Sequence, residues 1–172
     1  MHVVLRQAEL DDREILANLL EKYNYEFSQY DNRDVNKLGY YGYKYLDHYW
    51  LEDNRWAYFI EVDGKLAGFA MVNNFPEAED RETDFSLAEF FVMYKYRRKG
   101  VGKKAFSMVA DLHKGKWQLK RHPKNKVSVY FWDKAVSEYT KGKYELITSY
   151  PNTEYDDGTL GDIFFFDNSQ YT

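Results

Sequence analysis

Phe90-Phe91-Val92-Met93-Tyr94-Lys95-Tyr96-Arg97-Arg98-Lys99-Gly100-Val101-Gly102-Lys103-Lys104 is the stretch on which the reading of this chain turns. Its first residues close an almost wholly apolar run, Ser86 to Tyr94, which predicts a strand buried on both faces. Its last residues open a helix, because Val101, Ala105, Met108, Val109 and Leu112 recur at helical spacing up to about Gly115. Between them lies a basic loop. Five of the eight residues from Arg97 to Lys104 are Lys or Arg, in a chain of net charge −4. Gly100 and Gly102 allow a tight turn and a close approach of backbone N–H groups to a ligand, and a helix N-terminus adds a positive dipole end. Together these suit a polyanion such as a pyrophosphate. A solvated turn before a helix accounts for the same residues. A Walker A loop is excluded, since it needs Gly at 97 and Ser or Thr at 104, where Arg97 and Lys104 stand. A dinucleotide fingerprint would tolerate Ala105 at its third position, but the hairpin before the loop does not fit the βαβ unit it requires.

Outward from this stretch the elements fall into one order. Trp56 to Val62 and Leu66 to Asn73 read as strands joined by the hairpin turn Asp63-Gly64. Before them come a short strand at Val3-Val4-Leu5 and a helix from about Asp12 to Tyr25, with a capping-box-like start at Asp11 to Glu14. Phe27 to Trp50 is rich in Tyr, Asn, Asp and Gly and reads as irregular, with a second helix near its end. Pro76 to Asp84 is an acidic loop, read as a solvated connection. Beyond the third helix follow a strand at Trp117-Gln118-Leu119, a helix from Lys126 to Thr140 stopped by Gly142, and closing strands at Tyr144 to Tyr150 and Asp162 to Asp167. The prediction is an α/β fold: a mixed, mostly antiparallel sheet of about seven strands with helices on both faces. No repeat or linker divides residues 1–172, so one domain is expected.

With these residues in place, the stretch resembles motif A of the Gcn5-related N-acetyltransferases (GNAT): a strand, then Arg/Gln-x-x-Gly-x-Gly/Ala, then a helix. Arg97, Gly100 and Gly102 occupy its fixed positions. Asp63 to Phe69 is similar to the family's preceding hairpin, and Asn125 to Trp132 to its motif B, Asn-x-x-Ala-x-x-Leu-Tyr. The resemblance implies a sheet splayed between the fourth and fifth strands, with the pantetheine of acetyl-CoA between them. It implies that backbone groups near Phe91, Val92 and Met93 pair with that arm. Arg97, Arg98, Lys99, Gly100, Val101, Gly102 and Lys103 would form the pyrophosphate loop, and Asn125 would touch the cofactor. It also implies acetyl transfer to a primary amine by direct attack in a ternary complex. Two positions depart from the pattern: Ser128 replaces the small Ala, and Trp132 stands where many members carry a Tyr that protonates the leaving thiolate.

The chemistry needs a neutral amine and a polarised carbonyl. Alkyl amines have a pKa of about 10, so a base or a water relay must take a proton. Glu89, inside the apolar Leu87-Ala88-Glu89-Phe90-Phe91, is the candidate base; an ion-paired strand carboxylate is the other account of it. The carbonyl would be polarised by a strand N–H near Val92. Tyr40, Tyr41, Tyr43, Tyr45, Tyr49 and Trp50 serve equally as pocket lining or as core and subunit-interface aromatics, which leaves a homodimer open. Asp31, Asp34, Glu154, Asp156 and Asp157 lie on loops where an acidic rim would favour a cationic acceptor. Because Trp132 supplies no acid, a GNAT-fold module that binds acyl-CoA without turnover is the alternative.

Composition narrows the rest. With 44% hydrophobic and 19% aromatic residues the chain has ample core. The acidic balance gives no footprint for nucleic acid. The absence of cysteine removes disulfides, a thiol nucleophile and thiolate metal sites, and His2, His48, His113 and His122 lack paired metal spacing. No apolar run reaches membrane-spanning length and no signal peptide is seen, so a cytoplasmic protein without a metal is expected.

Overall fold

The computed structural model describes residues 1–172. Seven strands form one sheet: β1 (Val3–Gln7), β2 (Arg55–Val62), β3 (Lys65–Asn73), β4 (Phe85–Val92), β5 (Lys116–Arg121), β6 (Glu145–Ile147) and β7 (Asp162–Asp167). Their order is β1-β2-β3-β4-β5-β7-β6. Every neighbouring pair is antiparallel except β4 and β5, which run parallel. Four helices cover the faces: α1 (Arg13–Asp31), α2 (His48–Leu51), α3 (Val101–Leu112) and α4 (Lys126–Thr140).

Strand alternation decides which helix each residue meets. Ala57, Phe59, Phe69, Met71 and Phe91 point to one face and bury against Leu16, Leu19 and Leu20 of α1 and Tyr49 of α2. Tyr58, Ala70, Val72, Leu87, Trp117 and Leu119 point to the other and bury against Phe106 and Val109 of α3 and Trp132 and Val136 of α4. A third cluster seats Val101 and Ala105 of α3 on Val3, Ile60, Val62 and Val92. Fully burying a side chain of this size stabilises by about 1.5–3 kcal/mol, so the start of α3 is held firmly to the sheet.

Among the boundaries that differ from the sequence reading, those of three elements have a clear local reason. The first helix runs on to Asp31, because Tyr23 and Phe27 continue its apolar face onto Phe69, Phe91 and Tyr155, and it stops at Asn32 in the left-handed conformation (φ 62°). The fourth strand starts at Phe85 and ends at Val92, since Tyr94–Tyr96 curl into a 3-10 turn. The sixth strand ends at Ile147, short of Ser149, whose φ of 51° breaks an extended run. No helix is long and apolar enough to cross a membrane.

Candidate active site

The sheet opens where β4 leaves β5. The two strands pair only at Phe85–Trp117, Ser86–Gln118 and Leu87–Leu119. At Ala88 the β3–β4 ladder shifts register, with Val72 opposite Leu87 but Met71 opposite Glu89. This bulge adds one residue to β4 and turns the strand away from its parallel neighbour. From Ala88 to Val92 the β5-facing edge of β4 has no strand partner. Met93 donates its N–H to Ala67 O at 2.8 Å, across β3. Alternation along the ladder then directs the Val92 N–H the other way, into the opening. The Val92 carbonyl accepts from Arg97 Nε at 2.6 Å. Of the three residues expected to pair with pantetheine, Val92 thus offers an amide to the opening, while the Met93 amide is committed to β3.

The basic loop leads from this edge into α3. The amides of Arg98, Lys99, Gly100, Val101, Gly102 and Lys103 donate to no group of the chain; the first intrahelical bond is from Lys104 N to Gly100 O. Arg98 (φ 59°) and Gly100 (φ 80°) are both left-handed, which curls the run of amides into a concave donor surface at the helix N-terminus. Gly102 is needed for another reason as well: a Cβ there would stand 2.9 and 3.0 Å from the Phe131 ring of α4. The side chains divide. Arg98 and Lys99 are exposed and outside any ion pair, free to meet further phosphates. Lys103 Nζ holds Glu138 at 2.8 Å, Val101 is buried, and Arg97 grips Glu26 with two bonds of 2.7 Å. The Arg97 guanidinium therefore fixes the loop and does not face solvent as a free charge.

Across the opening lies a cavity of about 610 Å³, lined from β4 by Ser86 to Phe90, from β5 and its following turn by Gln118 to His122, and from the α1 side by Tyr23, Phe27 and Tyr43. Glu89 stands in its wall. Burial pushes this carboxyl up to about 7, against the opposing pull of the Tyr23 hydroxyl, Arg33 and the Tyr43 hydroxyl. The Tyr43 hydroxyl donates to Glu89 Oε1 at 3.4 Å. Asn125 also lines the cavity. Its Oδ1 caps α4 by accepting from Ser128 N at 3.1 Å, and its NH2 donates to nothing in the chain. The site thus presents six free amides for a diphosphate, an unpaired strand edge for an extended amide-bearing arm, and a carboxyl poised near neutrality. No three His, Cys, Asp or Glu side chains converge as a metal site.

The model of the acetyltransferase (GNAT) family matches residues 14–136, well over half of the chain. The chain belongs to the GNAT acetyltransferase family. It is a transferase whose acyl donor is acetyl-CoA. No curated protein matches it significantly in sequence. Solved structures share its fold at low identity. The spermidine N-acetyltransferase of Vibrio cholerae, in complex with CoA and spermine, is 15% identical with a TM-score of 0.64, over 98% of this chain and 97% of that one. The aminoglycoside acetyltransferase AAC(6')-Ib, with ribostamycin and coenzyme A, is 15% identical with a TM-score of 0.66, over 95% and 93%. A GNAT protein of Bacteroides thetaiotaomicron is 18% identical with a TM-score of 0.61, over 96% and 87%.

Within this GNAT acetyltransferase, several residues stand differently from their sequence reading. None of Asp31, Asp34, Glu154, Asp156 and Asp157 lines the cavity. Asp31 is fully buried and paired with Arg33, and Asp157 holds Lys124 at 2.9 Å and His122 at 3.3 Å. These two are structural anchors, because a carboxylate removed from water needs a partner. The acidic loop is more than a solvated connection: Ala78 is 1% exposed and bonded to Gln118, and Glu77 reaches the cavity. The aromatic segment splits, with Tyr43 and Tyr45 lining the cavity, Tyr49 buried, Trp50 anchored by its indole N–H on Ala8 O, and Tyr40 exposed. Trp132 is buried among Phe90, Phe106 and Phe131. Tyr130 is 64% exposed on another side of the helix. Sequence reasoning missed Arg55, Asn73, Ser86 and Tyr155, which reach the cavity from separate segments. Only Asn73, the polar end of a strand, hinted at it.

Proposed function

We propose that residues 1–172 act as one domain that transfers an acetyl group from acetyl-CoA to a primary amine by direct attack, with Glu89 as the base. The observation that carries this reading is Glu89 itself: a carboxyl held near 7 beside the point where β4 and β5 part. In this reading the amides from Arg98 to Lys103 hold the diphosphate, with Arg98 and Lys99 adding charge. The Asn125 NH2 orients the arm, and the Val92 N–H stabilises charge developing on the thioester oxygen.

The amine arrives as an ammonium with a pKa of about 10, and ionised Glu89 takes its proton directly or through one water. The nitrogen lone pair forms the C–N bond, the nitrogen sheds its second proton to solvent, and the C–S bond breaks with its electron pair leaving on sulfur. Trp132 has no acidic proton, so the thiolate takes its proton from solvent; at a thiol pKa of about 8.5 it leaves unaided near neutral pH. The lack of a chain acid is also what favours the second reading, a module that binds acyl-CoA without turnover. Mass spectrometry of the purified protein with acetyl-CoA and a panel of amines separates the two. Acetylated amine supports transfer; bound CoA with no product across the panel supports the module.

A further inference from the structure

Three buried side-chain polar atoms in the chain have no hydrogen-bond partner: Tyr49 Oη, Asn54 Oδ1 and Ser86 Oγ. Of the three, Ser86 lines the cavity, and Asn54 precedes Arg55, which lines it too. The register places Arg55 of β2 opposite Asn73 of β3, and Asn73 opposite Ser86 of β4, so these three side chains share a row and a face, that of α1. All three line the cavity that holds Glu89. Arg55 dominates the row. Its side chain is 9% exposed, and only Nε is engaged, with Glu52 at 2.8 Å. Glu52 also holds His48. The rings of Phe75, Tyr45 and Tyr49 surround the guanidinium at 4.4, 5.0 and 5.7 Å. The four N–H donors of Nη1 and Nη2 make no well-aligned hydrogen bond within the chain; the Tyr49 hydroxyl, itself without a partner, is the acceptor beside them.

The other cations of the cavity wall are taken. Arg33 is held by Asp31 and Asn24, Lys120 by Glu77, and Arg121 by Asp133, Asp162 and the Val129 carbonyl. Stacking on aromatics explains why Arg55 tolerates burial, but it leaves the fork edge of the guanidinium unanswered. That edge opens onto the cavity, where a ligand or water can meet it. The ligand that answers a planar fork of paired N–H groups is a carboxylate, with Ser86 Oγ and Asn73 within the same row to complete its shell.

We propose that Arg55, Asn73 and Ser86 bind a carboxylate of the acceptor, so that the substrate is an amine bearing an acidic group, its nitrogen at Glu89 and its carboxylate at Arg55. The proposal rests on the reading of this cavity as the acceptor site. The aromatic walls at Tyr45 and Phe75 favour an acceptor with a flat or apolar body between its two ends.

The test measures acetylation of matched amines: phenylalanine, phenylalaninamide and phenethylamine, and the series glycine, β-alanine and γ-aminobutyrate with their amides, so that the span between the ends is varied. In at least one matched set the acid should exceed its amide in kcat/KM by about ten- to a hundredfold, the worth of a hydrogen bond to a charged group. Arg55→Gln should collapse that ratio, and Arg55→Lys should restore part of it. Equal rates for acids and amides throughout, or a preference for spermine and other polycations, overturns the proposal while leaving the transferase reading intact. Equal losses on acid and amide in Arg55→Gln, with the ratio kept, assign Arg55 to packing alone and overturn it too. Should Arg55→Gln not fold, the wild-type ratio and Ser86→Val, expected to lower the rate for the acid more than for the amide, decide. No acetylation of any amine fails the transferase reading itself.

Discussion

The two ends of the opening in the sheet are built from different materials. At the α3 end the free groups are backbone amides, six in succession from Arg98 to Lys103. At the other end the polar groups facing the cavity are side chains, Glu89, Arg55, Asn73 and Ser86, drawn from three strands. A site of amides needs only the right turn and can change its side chains freely. A site of side chains needs each residue type and the whole fold to bring them together. Substitutions at the two ends should therefore fail in different ways. The largest effect is expected at the amides. Gly102→Glu forces a side chain against Phe131 and adds a negative charge beside the diphosphate, and calorimetry should show no measurable affinity for CoA. Gly102→Ala meets the same ring without the charge, and should keep binding within about tenfold, as overpacking of about 1 kcal/mol allows. Unchanged affinity in folded Gly102→Glu would move the diphosphate elsewhere.

Glu89 tests the other end. Its carboxyl must be ionised to accept a proton, so kcat/KM should rise with pH and level off above about 7. Glu89→Gln should lower kcat by about 10²-fold or more and abolish that limb, with CoA affinity kept. A preserved limb would assign the titration to another group. The same shift makes a stability prediction of opposite sense. The folded protein holds this proton up to about pH 7, whereas a free glutamate carboxyl releases it near 4.5. Folding therefore takes up a proton between those values, and stability falls as pH rises through that window, by about 3 kcal/mol in all. Glu89→Gln should match the wild type in denaturant melts at pH 4 and exceed it at pH 8. A variant less stable at both would show that the Tyr43 contact outweighs the buried charge.

The same contrast explains what could be read from the sequence. The order of elements along the chain was legible because alternation and helical spacing are local, and the loop because its glycines and basic residues are consecutive; the opening between the fourth and fifth strands came only with the GNAT resemblance. Glu89 was visible as a charge in an apolar run. Arg55, Ser86 and Tyr155 were not, since each is an ordinary residue at a strand end or in a loop and acquires its role from register and closure of the chain. The opposite error came from loop acids. Asp31 and Asp157 read as part of an acidic rim because nothing near them in sequence announces Arg33 turning back onto Asp31 or Lys124 and His122 reaching Asp157.

The smallest expected effect lies at the joint between the two ends. Arg97 binds both oxygens of Glu26 on α1, caps the Val92 carbonyl and lies 4.3 Å from the Tyr94 ring, so one guanidinium ties α1 to the strand edge and the amide loop. The pair is about three-quarters buried, with side-chain exposures of 26% and 24%. Such a pair contributes at the upper end of what exposed pairs give, about 1 kcal/mol, or roughly fivefold in an equilibrium constant. The loop it braces needs bracing, because Arg98 sits at a φ of 59° that a side chain rarely adopts. Glu26→Gln should therefore raise KM for acetyl-CoA about three- to fivefold, with kcat nearly unchanged, since neither Glu89 nor its cavity wall is touched. Combining Glu26→Gln with Arg97→Gln gives a double-mutant cycle in CoA affinity. A coupling well above zero makes the pair a brace for the amides. If Glu26→Gln lowers only the melting temperature and leaves KM for both substrates alone, the pair is a strut for α1, and the two ends of the opening are held independently.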